Sequence, residues 1–281
     1  MKQQLKKIIL MITLMSVGGV LNLFGPSVSA SGDASTFLIM GVDTADNIDT
    51  VGNEGAGRTD VMLLVTISDT SNRATVTSIP RDSYVEVPGH GTHKINAAYP
   101  LGGSELSVQT VEQWLDIKID HYVTVDMAAF RKVIDTLGGV TVTPLATFEL
   151  DGYAFEEGVP VMMDGEMALA YVRERNNSGG DYGRQERQRQ LMSAVFDLAR
   201  EEITGVTQAI GLFQSLSEDL DTNLGLISLT RLFASYHDFN GEIEFHQLQG
   251  EGQYIDGVYF DVIDPTSLEE IKQLINAETG E

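Results

Sequence analysis

The stretch from residue 171 to residue 190 concentrates the arginines of an otherwise acidic chain. Five of its eleven arginines lie within these twenty residues, namely Arg173, Arg175, Arg184, Arg187 and Arg189. A guanidinium group is planar, stays charged at ordinary pH and binds phosphate or carboxylate oxygens in a bidentate manner. The spacing therefore indicates that this stretch holds an anion, which belongs either to a ligand or to the protein itself.

Residues 183–202 are predicted to form a helix, since they contain no proline and few β-branched residues. At about 100° per residue, one face carries two arginines, a glutamine and two aliphatic side chains, namely Arg184, Arg187, Gln188, Leu191 and Val195. A ligand with an anionic head at the helix N-terminus and an apolar tail in a groove along Leu191 and Val195 fits this face. The alternative is that the two aliphatic residues belong to the core and that the arginines pair with carboxylates of the protein.

Two aspartates stand at the ends of predicted central strands. Asp43 follows the apolar run 37–41, and Asp60 opens the strand that continues through 61–68. Carboxylates at adjacent strand ends supply the hard oxygen ligands that Mg²⁺ prefers and leave places for phosphate oxygens. The alternative is that Asp43 caps a turn and that Asp60 pairs with Arg58.

Two further side chains are candidates for chemistry beside a bound phosphate. Arg81 follows the predicted strand 74–79, so its guanidinium is expected at a strand end, where an ion pair with Asp82 or Asp60 is the alternative. Asp181 precedes the predicted arginine-bearing helix and is placed to cap it. A carboxylate beside a phosphate is also a candidate general base.

Strands and helices alternate along the chain and predict a single α/β domain over residues 37–281. The predicted strands are 37–41, 61–68, 74–79, 121–125, 140–143 and 243–248, and the predicted helices are 104–115, 127–137, 164–170, 183–202, 206–216, 226–236 and 267–276. Residues 44–57 and 85–93 are predicted loops. The polar clusters follow strand ends, where open α/β sheets place their ligands. Arg173 and Arg175 would point about 200° apart on a helix, so the chain must leave the helix there if both bind one ligand.

Residues 1–30 have the pattern of an export segment. Three lysines precede an apolar run of 17 residues, 8–24, and residues 28–30 resemble a cleavage site. A run of this length is at the lower limit for crossing a bilayer, so the segment is either a cleaved signal peptide or a membrane anchor, followed by a linker at 31–36. In both cases the positive-inside rule predicts that the rest of the chain lies outside the cytoplasm.

The charge balance excludes one class of partner. Beyond residue 30 the chain has 15 Lys and Arg against 41 Asp and Glu, a side-chain charge of about −26. Nucleic acid binding needs a basic face, which such a composition disfavours. The chain has no cysteine, so its fold depends on a hydrophobic core. An acidic protein that binds an anion must do so in a local pocket, and a cation is expected to assist.

Seven short segments carry a family resemblance. They are FLIMGVD (37–43), GRTDVMLL (57–64), SIPRD (78–82), KINAAY (94–99), FRKVIDTLGGV (130–140), MALAYVRER (167–175) and DYGRQERQRQ (181–190). In this order, and over about residues 37–202, they resemble the LytR-CpsA-Psr family. The chain departs from the family pattern at Thr59, where serine is common, and in a longer segment between Asp43 and Arg58.

The resemblance implies a central mixed β-sheet flanked by helices and an extracytoplasmic phosphotransferase of Gram-positive bacteria. Such an enzyme is anchored on the outer face of the membrane, or secreted if it is cleaved after Ala30. It transfers an anionic glycopolymer (teichoic acid, capsular polysaccharide or similar) from a polyprenyl-pyrophosphate carrier to peptidoglycan. The rival interpretations are a polyprenyl-pyrophosphate phosphatase and a non-catalytic module that binds lipid or glycan.

The resemblance also implies roles for individual residues. The family's metal-binding aspartates map to Asp43 and Asp60, which would hold Mg²⁺, with Mn²⁺ as an alternative. The residues implied to bind pyrophosphate are Arg58, Arg81, Arg173, Arg175, Arg184 and Gln188. Those implied to act in catalysis are Arg81, Arg175 and Asp181.

Overall fold

The computed structural model describes most of the chain beyond the export segment. It covers residues 34–43, 57–68, 72–174, 206–216, 220–236 and 242–279, and helical residues at 183, 186–187, 190–191, 194–195 and 198. We call these last eight residues the 183–198 segment. Residues 1–30 lie outside the described residues. Among the helices that are described, none is both long and apolar enough to cross a bilayer.

A mixed sheet of six strands forms the centre of the fold. In spatial order its strands are β11 (Leu220–Thr222), β6 (His121–Asp126), β1 (Ala34–Asp43), β2 (Arg58–Ser68), β3 (Arg73–Ser78) and β12 (Glu242–Gln247). The pairs β1–β6 and β3–β12 are parallel, and the other three pairs are antiparallel. This arrangement confirms the predicted mixed α/β fold.

Helices cover both faces of the sheet, which is why its central strands read as continuous apolar runs. The labelled helices are α1 (Ala98–Leu115), α2 (Met127–Thr136), α3 (Gly165–Arg173), α4 (Val206–Leu216), α5 (Leu226–Tyr236) and α6 (Pro265–Thr279). Phe37 of β1 packs on one face with residues of α2 and α5. Its neighbour Leu38 packs on the other face with residues of α1 and α6.

Four two-stranded ribbons lie outside the central sheet. They are β4 (Tyr84–Val87) with β5 (Gly91–Lys94), β7 (Val140–Val142) with β10 (Val161–Met163), β8 (Phe148–Leu150) with β9 (Tyr153–Phe155), and β13 (Gly250–Ile255) with β14 (Val258–Ile263). The loop prediction for 85–93 was wrong, because these residues form most of the β4–β5 hairpin. Val85 and Val87 are buried there, while Tyr84 and Glu86, which alternate with them, are exposed, so the period-two pattern of a strand was present.

Helix α3 ends at Arg173, before the second arginine of the segment MALAYVRER. The Asp164 side chain caps its start, since Oδ1 accepts a hydrogen bond of 2.8 Å from the Met167 amide. The helix stops at Arg173, and the next residue, Glu174, has extended backbone with φ −59° and ψ 132°. The helix thus ends between the two arginines, which is the condition for both to bind one ligand; Arg175 itself lies outside the described residues.

Candidate functional site

The ends of four strands meet at one edge of the central sheet. Asp43, at the end of β1, is paired with Arg58, at the start of β2. The end of β3 lies beside β2, and Asp126 ends β6 beside Val42. We call this end of the sheet, with Asp43, residues 58–60 and residues 81–82, the polar edge. The sheet topology therefore brings together three polar clusters that are far apart in the sequence.

A β-bulge singles out Asp60 at the polar edge. Gly41 pairs with Val61 and Val42 pairs with Thr59, so Asp60 is the extra residue between these two pairs. A bulge bends the strand and redirects a side chain, and bulges are common next to functional sites. Asp60 is therefore displaced from the regular alternation of β2 at the position where the neighbouring strand ends in Asp43.

Arg81 forms an ion pair with Asp60 at the polar edge. Its Nη1 donates to Asp60 Oδ1 at 2.7 Å, and its Nε lies 3.7 Å from Asp82 Oδ2. The Arg81 side chain is 31% exposed and that of Asp60 is 20% exposed, so the pair is open to solvent. Both ion pairs that the sequence offered as alternatives for Arg81 are present. They hold the guanidinium at the edge and leave the group accessible to an anionic ligand.

A second cation, Lys94, lies beside Arg81 and was absent from the predicted site. Its Nζ is 2.8 Å from Asp82 Oδ1. The ion pairs therefore form a row of alternating charges in the order Asp60, Arg81, Asp82, Lys94. The short helical turn that follows Lys94, residues Ile95–Ala97, also contacts the polar edge, because the Asn96 amide donates a hydrogen bond of 3.2 Å to the Arg81 carbonyl. Lys94 is the first residue of the segment KINAAY, which carries part of the family resemblance. This segment could have identified Lys94 as a site residue from the sequence.

Arg58 and Arg173 reach the site region from different elements. Arg58 begins β2 and is exposed. Arg173 ends α3, which packs on α2 in the opposite direction, since the Gly165 amide donates to Asp135 Oδ1 at 2.8 Å near the end of α2. Helix α2 begins directly after Asp126 at the polar edge. The direction of α3 therefore carries Arg173 towards that edge.

Arg187 is buried and serves the protein's own structure. Its side chain is 1% exposed, and its Nη2 lies 3.3 Å from Glu174 Oε2, which is also buried. Its Nε donates to the Tyr171 carbonyl at 3.0 Å and Nη2 to the Glu174 carbonyl. The guanidinium stands 5.2 Å from the Phe148 ring centre. Burial lowers the pKa of Arg187, while the Glu174 carboxylate opposes that change. For this arginine, pairing with a carboxylate of the protein is the correct interpretation.

Leu191 and Val195 belong to the apolar cluster beneath the same region. Leu191 is buried beside Tyr171, and Val195 is partly buried against this cluster. The Tyr171 hydroxyl donates to Gln190 Oε1 at 2.6 Å, which joins α3 to the 183–198 segment. A groove for a lipid along these two residues stays a prediction. The same holds for Arg175, Asp181, Arg184 and Gln188, which all lie outside the described residues.

Two aspartate positions at the polar edge bear on the predicted Mg²⁺ site, which stays a prediction. The backbone register places Asp43 next to Arg58 at the start of β2, and the bulge sets Asp60 apart two residues further along β2, so two aspartate positions adjoin at these strand ends. Carboxylate oxygens fit Mg²⁺, which commonly takes one or two of them and completes its shell with water and phosphate oxygens. Across the ranges that the structure describes, no group of three or more His, Cys, Asp or Glu residues is arranged to hold a metal ion.

Comparison with known proteins gives a consistent result. The model of the LytR_cpsA_psr family matches residues 21–277. The polyisoprenyl-teichoic acid–peptidoglycan teichoic acid transferase TagU of Bacillus subtilis (strain 168) is 36% identical over 241 residues, which cover 85% of this chain and 76% of TagU. The crystal structure of B. subtilis TagV has a TM-score of 0.72 at 29% identity, covering 88% of this chain and 97% of TagV. The LytR-CPS2A-psr family protein YwtF (TagT), solved with bound octaprenyl pyrophosphate lipid, has a TM-score of 0.64 at 29% identity, covering 95% and 97%.

Proposed function

This chain belongs to the LytR-CpsA-Psr family, and we propose that it transfers an anionic glycopolymer from a polyprenyl-pyrophosphate carrier to peptidoglycan. The observation that carries the proposal is the likeness, over most of both chains, to TagU and to a TagT structure that holds octaprenyl pyrophosphate. The paired cation and carboxylate at the polar edge, Arg81 and Asp60, are of the type that phosphoryl transfer needs.

The reaction replaces one phosphorus–oxygen bond by another. A hydroxyl oxygen of the peptidoglycan acceptor attacks the phosphorus that bears the glycopolymer. The bond from this phosphorus to the bridging oxygen of the pyrophosphate breaks, and polyprenyl phosphate leaves with that oxygen. The acceptor's proton passes to a base, for which Asp181 is the candidate that the resemblance implies. The product is a phosphodiester between glycopolymer and peptidoglycan, and no oxidant or nucleotide is consumed.

The chain's own part in this reaction is to hold the pyrophosphate and to balance its charge. The Arg81 guanidinium is held in position at the polar edge by ion pairs with Asp60 and Asp82. Phosphoryl transfer is catalysed mainly by positioning and by charge stabilisation, so fixed guanidinium groups are effective. The further residues assigned to the pyrophosphate are Arg58, Arg173, Arg175, Arg184 and Gln188.

The proposal includes one divalent cation, Mg²⁺ or Mn²⁺, held by Asp43 and Asp60. Such an ion, when bound, neutralises negative charge on the phosphate oxygens and stabilises the leaving group. The hard oxygen donors and the bulge at Asp60 support this part of the proposal.

We propose that residues beyond 30 lie outside the cytoplasm, at the outer face of the cell membrane. The three lysines and the apolar run within residues 1–30 support this location, with the segment acting as an anchor or as a cleaved signal. A protease added to intact cells would then degrade the chain. Protection from the protease in intact cells, lost on lysis, would contradict the location.

The function is tested by a transfer assay on the purified full chain in detergent. The donor is a polyprenyl-pyrophosphate-linked saccharide, the acceptor is a soluble peptidoglycan oligomer, and parallel reactions contain Mg²⁺ or EDTA. We expect saccharide covalently bound to the oligomer with Mg²⁺ and little with EDTA. Release of free saccharide at a rate that the oligomer does not change would indicate a phosphatase instead. Donor that binds but is never consumed would indicate a binding module.

A further inference from the structure

The β13–β14 hairpin presents two tyrosines to solvent. Tyr254 is 77% exposed, the largest value among the described large hydrophobic side chains, and Tyr259 is 39% exposed. The two residues pair directly across the hairpin, with ring centres 5.7 Å apart at 72°. We call the side of the hairpin that carries Tyr254, Tyr259, Gly252 and Asp261 the tyrosine face. Its aromatic rings form a small apolar surface that the described residues leave open.

Gly252 lets the Tyr259 ring lie across the hairpin. A Cβ atom at Gly252 would lie 2.5 Å from the Tyr259 hydroxyl oxygen and 2.8 Å from a ring carbon, so any side chain there would displace the ring from this position. The hydroxyl then reaches Asp261 and donates to Oδ1 at 2.8 Å. This hydrogen bond is the main cause of a raised pKa at Tyr259. The ring is therefore held flat with its polar end next to a carboxylate.

The opposite side of the hairpin fastens it to the rest of the protein. Phe260 is buried and meets the Tyr84 ring edge-on, with ring centres 4.8 Å apart. The Asp261 amide also donates to the Asp82 carbonyl at 2.9 Å. Because Phe260 and the backbone hold the hairpin in place, the exposed ring of Tyr254 is not needed to attach it.

The tyrosine face is continuous with the polar edge. Lys94 connects the two, since its Nζ lies 2.8 Å from Asp82 Oδ1 and 5.7 Å from the Tyr259 ring centre. Asp82 in turn stands beside Arg81, which pairs with Asp60. A molecule lying on Tyr259 would thus be next to Lys94 and Asp82, which adjoin Arg81.

We propose that the tyrosine face binds the glycan strand of the peptidoglycan acceptor and directs it to the polar edge, an inference that rests on the proposed function. A sugar ring has an apolar face of C–H groups and a rim of hydroxyls. Aromatic faces pack against the C–H groups, and the Asp261 carboxylate and the tyrosine hydroxyls can bond the rim. A lipid chain would need a longer apolar surface without charge, whereas Asp261 and Lys94 stand directly beside these rings.

The test measures acceptor binding without the lipid donor. Soluble peptidoglycan glycan oligomers are titrated onto the full chain in detergent by calorimetry, for wild type, Tyr254→Ala and Tyr254→Phe. We expect Tyr254→Ala to weaken binding about tenfold through the loss of one stacked ring, and Tyr254→Phe to bind like wild type. Phe245→Ala is the matched control, because Phe245 is also an aromatic residue, is 67% exposed and lies on β12, outside the hairpin. It should leave binding unchanged.

The transfer assay separates this inference from the proposed function. We expect Tyr254→Ala to raise the KM for the acceptor about tenfold while kcat at saturating acceptor stays within about twofold. Equal acceptor binding and KM in Tyr254→Ala and wild type, in an enzyme that transfers, would overturn the inference alone. Tyrosine-dependent glycan binding in a protein that never transfers would support the binding site and contradict the proposed function.

Discussion

Arg81 lies between two carboxylates at the polar edge. Asp60 and Asp82 hold its guanidinium, and about a third of its side chain stays exposed. An arginine fixed in this way needs little rearrangement when negative charge develops on the phosphate. Donors that are already in place stabilise the charge of a transition state effectively. The ion pairs are therefore compatible with a role in binding the donor.

We predict that Arg81→Ala lowers kcat/KM for the donor about 10²–10³-fold, the usual cost of removing one fixed donor from such a site. The measurement is transfer at subsaturating donor. Arg73→Ala is the matched control. Arg73 is the first residue of β3, at the end of the strand away from Arg81, and it pairs with Glu244 on the surface. Equal losses in both variants would indicate a general effect on the fold rather than a role for Arg81.

We predict that Asp60→Asn raises the Mg²⁺ concentration needed for half-maximal transfer by at least about tenfold, because one anionic ligand is lost. Asp82→Asn, which changes the neighbouring carboxylate that holds Lys94, should leave the Mg²⁺ dependence near that of wild type. A Mg²⁺ titration of both variants checks this difference. An unchanged titration in Asp60→Asn would remove Asp60 from the metal site.

We predict that Arg175→Ala lowers turnover by orders of magnitude while the fold stays largely intact. This prediction rests on the segment MALAYVRER, in which Arg173 is the last residue of α3 and Arg175 comes two residues later in the sequence. Circular dichroism and thermal unfolding would establish that the variant is folded. Turnover equal to wild type would remove Arg175 from the mechanism.

At the scale of elements, the junction between α3 and the 183–198 segment depends on a buried ion pair. Arg187 and Glu174 are almost fully buried, and Arg187 also binds two backbone carbonyls. Arg187 thereby fixes the chain on both sides of Arg173. Its role is one of positioning, although its sequence environment resembled that of the arginines assigned to the ligand.

We predict that Arg187→Met lowers the free energy of unfolding by about 3–5 kcal/mol, because Glu174 is left charged and buried. Combining it with Glu174→Met should recover part of this loss. The exposed pair Arg131 and Glu166 supplies the control, and Arg131→Met should cost no more than about 1 kcal/mol. Urea unfolding measures all three variants, and a similar cost for Arg187→Met and Arg131→Met would refute the structural role.

Elements with a clear hydrophobic period were predictable from the sequence, and short ones were not. The predicted helices 206–216 and 226–236 coincide with α4 and α5, because their apolar residues recur at helical spacing. The β4–β5 hairpin was missed because each strand has only four residues, and Pro88 and Gly89 between the strands are typical of a loop. The β13–β14 hairpin was not predicted, since its strands contain two glycines and few buried residues.

At the scale of the whole molecule, the site is assembled by contacts that a linear pattern does not contain. The sequence placed Asp60 and Arg81 at strand ends and offered their ion pair as one alternative, and the antiparallel register of β2 and β3 is what brings the two side chains together. Lys94 joins them only because the β4–β5 hairpin folds back against Asp82. The same topology brings Arg58, Arg81 and Lys94 to one edge of the sheet in a chain with net charge −23.

The most direct test of the account follows the phosphorus atom that bears the glycopolymer. A donor labelled with ³²P only at this position is incubated with the full chain, Mg²⁺ and peptidoglycan oligomers, and the products are separated. We predict that the label moves to the oligomer through an alkali-stable, single-phosphate link, and that the polyprenyl phosphate released is unlabelled. Label recovered on the polyprenyl product, or on free saccharide regardless of the oligomer, would contradict the proposed transfer.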